Sequence, residues 1–195
     1  MAQVEQASSV GTATAILDIA ERLVQRRGFN GFSYADIATD LGITKASLHY
    51  HFAGKAKLGE ALIARYAARF AAALAEIDSR TTPPIEQLRS YCDIYGTVLS
   101  AHRMCLCGML AAEYDTLPDT MRQAVIAFFD QNQAWLSALL EHGKDCGGLR
   151  VVGSADHAAR AVIAALEGAM LVSRPYADTG VLDSVAGRII EEFSP

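Results

Sequence analysis

Lys45, Ser47, His49 and Tyr50 are spaced to share one side of a short helix, with Leu48 and Phe52 directed to the other and Thr44 as a side-chain N-cap. Lysine can donate to guanine edges, serine and tyrosine can bond bases or phosphates, and rings can touch thymine methyls. That outer face therefore has the chemistry of a major-groove reader. A surface helix of an ordinary helical protein carries the same pattern, and spacing alone leaves both readings open.

The preceding residues supply the element that must hold such a helix. A first short helix is predicted over residues 34–40, with Ser33 as its N-cap and Ile37, Ala38 and Leu41 at helical spacing on a buried face. Gly42 supplies the turn, at a point that calls for the positive φ glycine adopts without steric cost. Two short helices around one glycine form a helix-turn-helix layout.

From about residue 13 to residue 62 the chain resembles the N-terminal domain of TetR-type transcriptional regulators, which carries three small helices and then a Tyr-x-His-Phe-x-x-Lys run. The matching residues here are His49, Tyr50, His51, Phe52 and Lys55, with His49 where the family usually has Tyr. The resemblance implies that Ser33, Thr44, Lys45, Ser47, His49 and Tyr50 contact double-stranded operator DNA, and that Lys55 grips a phosphate. It also implies a regulator, by family habit a repressor, that releases a near-palindromic operator when a small molecule or thiol-reactive compound acts on its C-terminal domain.

Length and composition agree with a two-part helical protein. The 195 residues are 51% hydrophobic, enough for one sizeable core and a smaller satellite. Few β-branched clusters and alanine runs such as Ala71-Ala72-Ala73 favour helix throughout. The expected fold is all-α with about nine helices: a helix-turn-helix domain over residues 1–55, with residues 1–10 as a mobile arm, and a ligand-binding and dimerisation domain over residues 56–195. Helices are expected over residues 12–27, 34–40, 44–52, 55–78, 85–101, 107–114, 119–141, 154–174 and 178–193, with Gly143 among the stops of the seventh. The sequence contains no apolar run of about 18 residues or more and no export pattern, which points to a cytoplasmic protein without membrane partners. The net charge of −5 is unevenly shared: residues 1–58 hold six basic and five acidic side chains, the remainder 11 and 17. The small domain is thus slightly basic and the body acidic.

In the body, Tyr91, Tyr95, Met109, Phe128, Trp135 and Met170 bring large apolar groups and hydrogen-bonding tips, the chemistry of a small-molecule pocket and equally that of a core. Glu167 is placed to orient a polar ligand or to pair with Arg174. Cys105 and Cys107 form a Cys-x-Cys pair without metal spacing, either small buried hydrophobes or a sensing site; family resemblance puts a cysteine sensor at about Cys105. The last two helices carry a stripe of small residues, Ala158, Ala161, Ala165 and Gly168, beside Val181, Leu182, Val185 and Ile189. This suits close packing within one chain or between two, and the resemblance favours a homodimer. No metal, cofactor or enzymatic motif is expected, since the chain lacks a His-Glu-x-x-His run, a phosphate-cradling glycine loop and a nucleophile elbow. A helical protein-interaction adaptor without specific DNA binding is the alternative.

Overall fold

A computed structural model describes residues 2–80 and 82–195, with side chains from residue 11 onward. Among these residues there are nine α-helices and no strand: α1 (Ala2–Arg27), α2 (Tyr34–Leu41), α3 (Lys45–His51), α4 (Lys55–Ser79), α5 (Pro84–Ser100), α6 (Leu106–Ala112), α7 (Asp119–Asp145), α8 (Ala155–Ser173) and α9 (Gly180–Phe193). Helix α1 is assigned from Ala2, not from residue 12, because extending a formed helix through Ala, Gln, Val and Glu avoids a new nucleation cost. The expected arm otherwise falls on Met1 and on the side chains of residues 2–10, which lie outside the described residues.

Gly143 does not stop α7. It lies inside the helix, where an added Cβ would come within 2.4 Å of Leu149 Cδ1, so its lack of a side chain seats Leu149. The sixth helix ends at Ala112, and the tighter turn Tyr114–Thr116 replaces its predicted last residues.

The chain divides into two compact units, residues 1–66 with 106–125 and residues 67–105 with 126–195. In the first, α6 packs on α1, a long-range pairing that a boundary at residue 55 does not contain. Ile16, Ala20 and Val24 of α1, Ile37 of α2, Leu48 of α3, and Leu58 and Leu62 of α4 form its buried core. Burying each large aliphatic side chain contributes about 1.5–3 kcal/mol. Arg65 clamps α4 to α1 through Asp18 and Glu21, both at 2.7 Å.

In the second unit α8 packs on α9 and α5 on both. Its aromatic centre stacks Tyr91 on Trp135 at 5.6 Å and sets Phe70 edge-on to Phe128 at 5.1 Å. A polar knot lies inside: Tyr91 Oη donates to Asn132 Oδ1 at 2.8 Å, Asn132 Nδ2 donates to Tyr95 Oη at 3.2 Å, and the two hydroxyls meet at 3.2 Å. Asn132 is only 1% exposed, so each of these bonds replaces water that cannot reach it. Tyr91→Phe removes the donor to Asn132 and is expected to cost about 1–3 kcal/mol in urea unfolding. A loss below that range would show that the amide finds another donor.

Candidate nucleic-acid interface

The face proposed from sequence is built by local capping. Ser33 accepts from Ala35 N at 3.2 Å and donates to Asp36 Oδ2 at 2.7 Å, while Ser33 N donates to the same carboxylate at 2.7 Å. This reciprocal box opens α2, and the Ser33 bonds hold the Asp36 carboxyl below the usual carboxylate range. Gly42, at φ 66°, closes α2 by turning Ile43 N back to Ala38 O at 3.0 Å. Thr44 then caps α3 by accepting from Ser47 N at 3.2 Å.

Helix α3 is pinned by fully buried Leu48 and turns the other residues outward. Thr44, Lys45, His49 and Tyr50 are exposed and Ser47 is half-buried. Tyr50 is 81% exposed, a large ring without cover. Two of the expected contacts are already engaged. The Ser33 hydroxyl serves the α2 cap, so a phosphate must share it. Lys55 is turned inward, its ammonium donating to Phe32 O and lying over the rings of Phe29 and Phe32 at 4.8 and 4.3 Å. Burial lowers its pKa, and nearby Glu113 and Asp36 partly offset that. In this state Lys55 fixes the entry to α2 and does not reach outward.

Glu113, which sequence reading missed, holds the same turn. Just past the end of α6, its carboxylate accepts from Phe29 N at 2.5 Å and from Asn30 N at 3.2 Å. Asn30 Nδ2 also donates to Thr116 Oγ1 at 2.7 Å. Gly28, at φ 82°, lets the carboxylate in, since a Cβ there would stand 2.7 Å from Glu113 Oε1. A lone glutamate 84 residues from its partner leaves no periodic signal in a sequence.

The expected sensing residues divide between the units. Tyr91, Tyr95, Cys105, Phe128, Trp135, Glu167 and Met170 belong to the second, while Cys107 and Met109 belong to the first. Tyr91, Tyr95, Cys105, Cys107, Phe128 and Met170 are buried, and Trp135 and Met109 are half-buried. Trp135 Nε1 donates to Asp78 Oδ2 at 2.9 Å. Glu167 is half-buried as a residue, but its Oε1 is buried and has no hydrogen-bond partner among the described residues. Desolvation pushes the Glu167 carboxyl up to about 7, partly opposed by a hydrogen bond from Cys105. Burial also pushes the Cys92 thiol up to about 12, whereas Cys146 is exposed. Among the described residues no three His, Cys, Asp or Glu side chains converge as metal ligands, and no helix is long and apolar enough to cross a membrane.

Residues 16–62 match the family profile described as bacterial regulatory proteins, tetR family, and residues 84–188 match that of the tetracyclin repressor-like C-terminal domain. A TetR-family transcriptional regulator from Agrobacterium tumefaciens is similar in structure at a TM-score of 0.92 and 34% identity, over 96% of this chain and 100% of that one. A TetR transcriptional regulator from Legionella pneumophila follows at 0.85 and 32%, over 92% and 96% of the two chains. The HTH-type transcriptional repressor DhaR of Mycobacterium sp. (strain GP1) is 23% identical over 87% of this chain and 85% of its own.

Glu113→Ala orphans two backbone N–H groups and is expected to destabilise the protein by about 1–2 kcal/mol in urea titration. Gly28→Ala should lose at least as much, because it adds strain at positive φ to the clash. If both variants unfold like wild type, the turn does not depend on this carboxylate. For Glu167, a folded pKa raised to about 7 means that the folded state binds more protons than the unfolded state between about pH 4.5 and 7. Stability should therefore fall as pH rises through that window, and Glu167→Gln should flatten the slope. Identical slopes in the two proteins would rule out the buried carboxyl as its source.

Proposed function

The chain belongs to the TetR family of bacterial regulatory proteins and is a DNA-binding transcriptional regulator, not an enzyme, and on that premise we propose that it works as a repressor released by a small molecule. Its fold implies operator DNA, a small-molecule ligand and a dimer as partners. The observation that carries the DNA side of the proposal is the uncovered polar and aromatic face of α3, above all Tyr50 at 81% exposure. Lys45, Ser47, His49 and Tyr50 read the major groove from that face, with Thr44 at its edge, and Ser33 and Lys55 act at the phosphates. Lys55 must leave the Phe32 carbonyl to do so, and the alternative of an adaptor without DNA binding is set aside by the family.

The dimer forms through α8 and α9. Support comes from Leu171 and Val172, exposed at 61% and 52%, and from a groove of about 640 Å³ edged by Ala158, Ala161, Ala165, Ile189 and Phe193. Two copies joined there present two recognition helices to a near-palindromic operator, with half-sites about one helical turn, roughly 34 Å, apart. The protein acts in the cytoplasm, where that DNA is.

The inducer acts on the second unit at Tyr91, Tyr95, Trp135, Phe128, Met170 and Glu167. The support is a buried carboxylate oxygen without a donor beside aromatic groups, a site that a ligand's polar group completes. Thiol-reactive compounds act through Cys105, whose thiol already faces Glu167. A ligand releases DNA only by binding the non-DNA geometry more tightly.

Binding of purified protein to its own upstream intergenic DNA tests the reading. Lys45→Ala and Tyr50→Ala should each weaken specific binding about tenfold or more, and wild-type binding should weaken steeply with added salt. Variants that bind as wild type does would move the DNA contact away from α3.

A further inference from the structure

His49 is the one polar side chain on the exposed face of α3 whose hydrogen-bonding role the fold restricts. Its ring lies against Tyr34, with centroids 4.9 Å apart, and its Nδ1 lies 3.3 Å from the carbonyl oxygen of Ala53. Tyr34 is itself tied, its hydroxyl donating to Phe52 O at 3.0 Å, and Phe52 N closes α3 onto Leu48 O at 2.8 Å. The imidazole is therefore held by a ring from α2 and by the backbone that ends its own helix.

A carbonyl oxygen only accepts, so Nδ1 must carry the hydrogen in this contact. In the neutral ring that leaves Nε2, on the far side, as a bare acceptor. The residue is exposed, which leaves its ring open to a partner from outside the protein. Its neighbours behave differently: Lys45 only donates, while the hydroxyls of Ser47 and Tyr50 rotate to do either. The face thus presents one preset acceptor. In the major groove the donors are the exocyclic amines, N6 of adenine and N4 of cytosine, and a phosphate, itself an acceptor, does not match a bare Nε2.

We propose that His49 is a specificity-determining residue that reads, through Nε2, the exocyclic amine of an adenine or cytosine at one position of each operator half-site. This rests on the proposal that α3 enters the major groove and adds which base chemistry it selects there. The preference comes from Ala53 O and Tyr34, which set the tautomer and the ring plane before DNA arrives.

Two measurements test it with the full-length protein. Nitrogen-15 NMR of the free protein should show the hydrogen of His49 on Nδ1. The operator is then selected from random duplex DNA, and affinities are measured for duplexes with purine in place of each adenine in turn or 2-pyrimidinone in place of each cytosine, which delete only the amine. At one position per half-site the deletion should weaken wild-type binding about tenfold and leave His49→Phe and His49→Ala, already weaker, unchanged. A response in the purine series identifies adenine, and one in the pyrimidinone series identifies cytosine. The proposal is overturned if the hydrogen sits on Nε2, if the variants lose affinity equally for every duplex, or if every deletion costs wild type and variants the same. If selection recovers no operator and Lys45→Ala changes nothing, the DNA-reading proposal itself fails. Binding that depends on Lys45 but ignores every amine overturns only the role of His49.

Discussion

A carboxylate seated on the turn after α1 is the constraint on which the small helical unit depends. Glu113 accepts the amides of Phe29 and Asn30, and Gly28 keeps clear the space it occupies. Lys55 fixes the next stretch through the Phe32 carbonyl. These contacts set where Ser33 stands, and Ser33 sets where α2 begins. Helices of eight and seven residues are too short to persist alone, because nucleation costs more than so few bonds return. Their positions are borrowed from α1, α4 and α6, so the geometry offered to DNA is a tertiary property of a unit assembled from two distant parts of the chain.

The two units treat polarity in opposite ways. On α3 the polar groups are left in water, where exchanging a solvent partner for a base edge or a phosphate costs little. In the second unit the Tyr91–Tyr95–Asn132 knot is internally satisfied, and Glu167 beside it is not. A satisfied knot makes a core specific, whereas an orphaned carboxylate oxygen leaves it short of a partner. That contrast separates the scaffold from the group whose carboxyl burial pushes up to about 7.

Much of the helix-turn-helix was legible in the residues because its determinants are local. Ser33 and Thr44 act within three residues of themselves, Gly42 makes its turn alone, and Leu48 follows helical period. The alanine-rich, strand-poor composition likewise settled an all-α chain. The errors have separate causes. Gly143 carries a stop signal but sits inside α7 because Leu149, six residues on, needs its surface. Residues 2–10 lack amphipathic period, yet the helix formed after them extends back at low cost.

By itself, then, the sequence determined the helical class, the caps and turn of the helix-turn-helix, and which side chains share its outer face, since all of these follow from interactions a few residues long. Tertiary structure alone decided that Glu113 would hold the Gly28 turn, that Lys55 would face inward, that Tyr34 and Ala53 would meet the ring of His49, and that Glu167 would meet Cys105. Each of these brings a charge, a ring or a carbonyl to a partner through packing or chain direction, and neither periodicity nor propensity records which distant groups will share a dielectric.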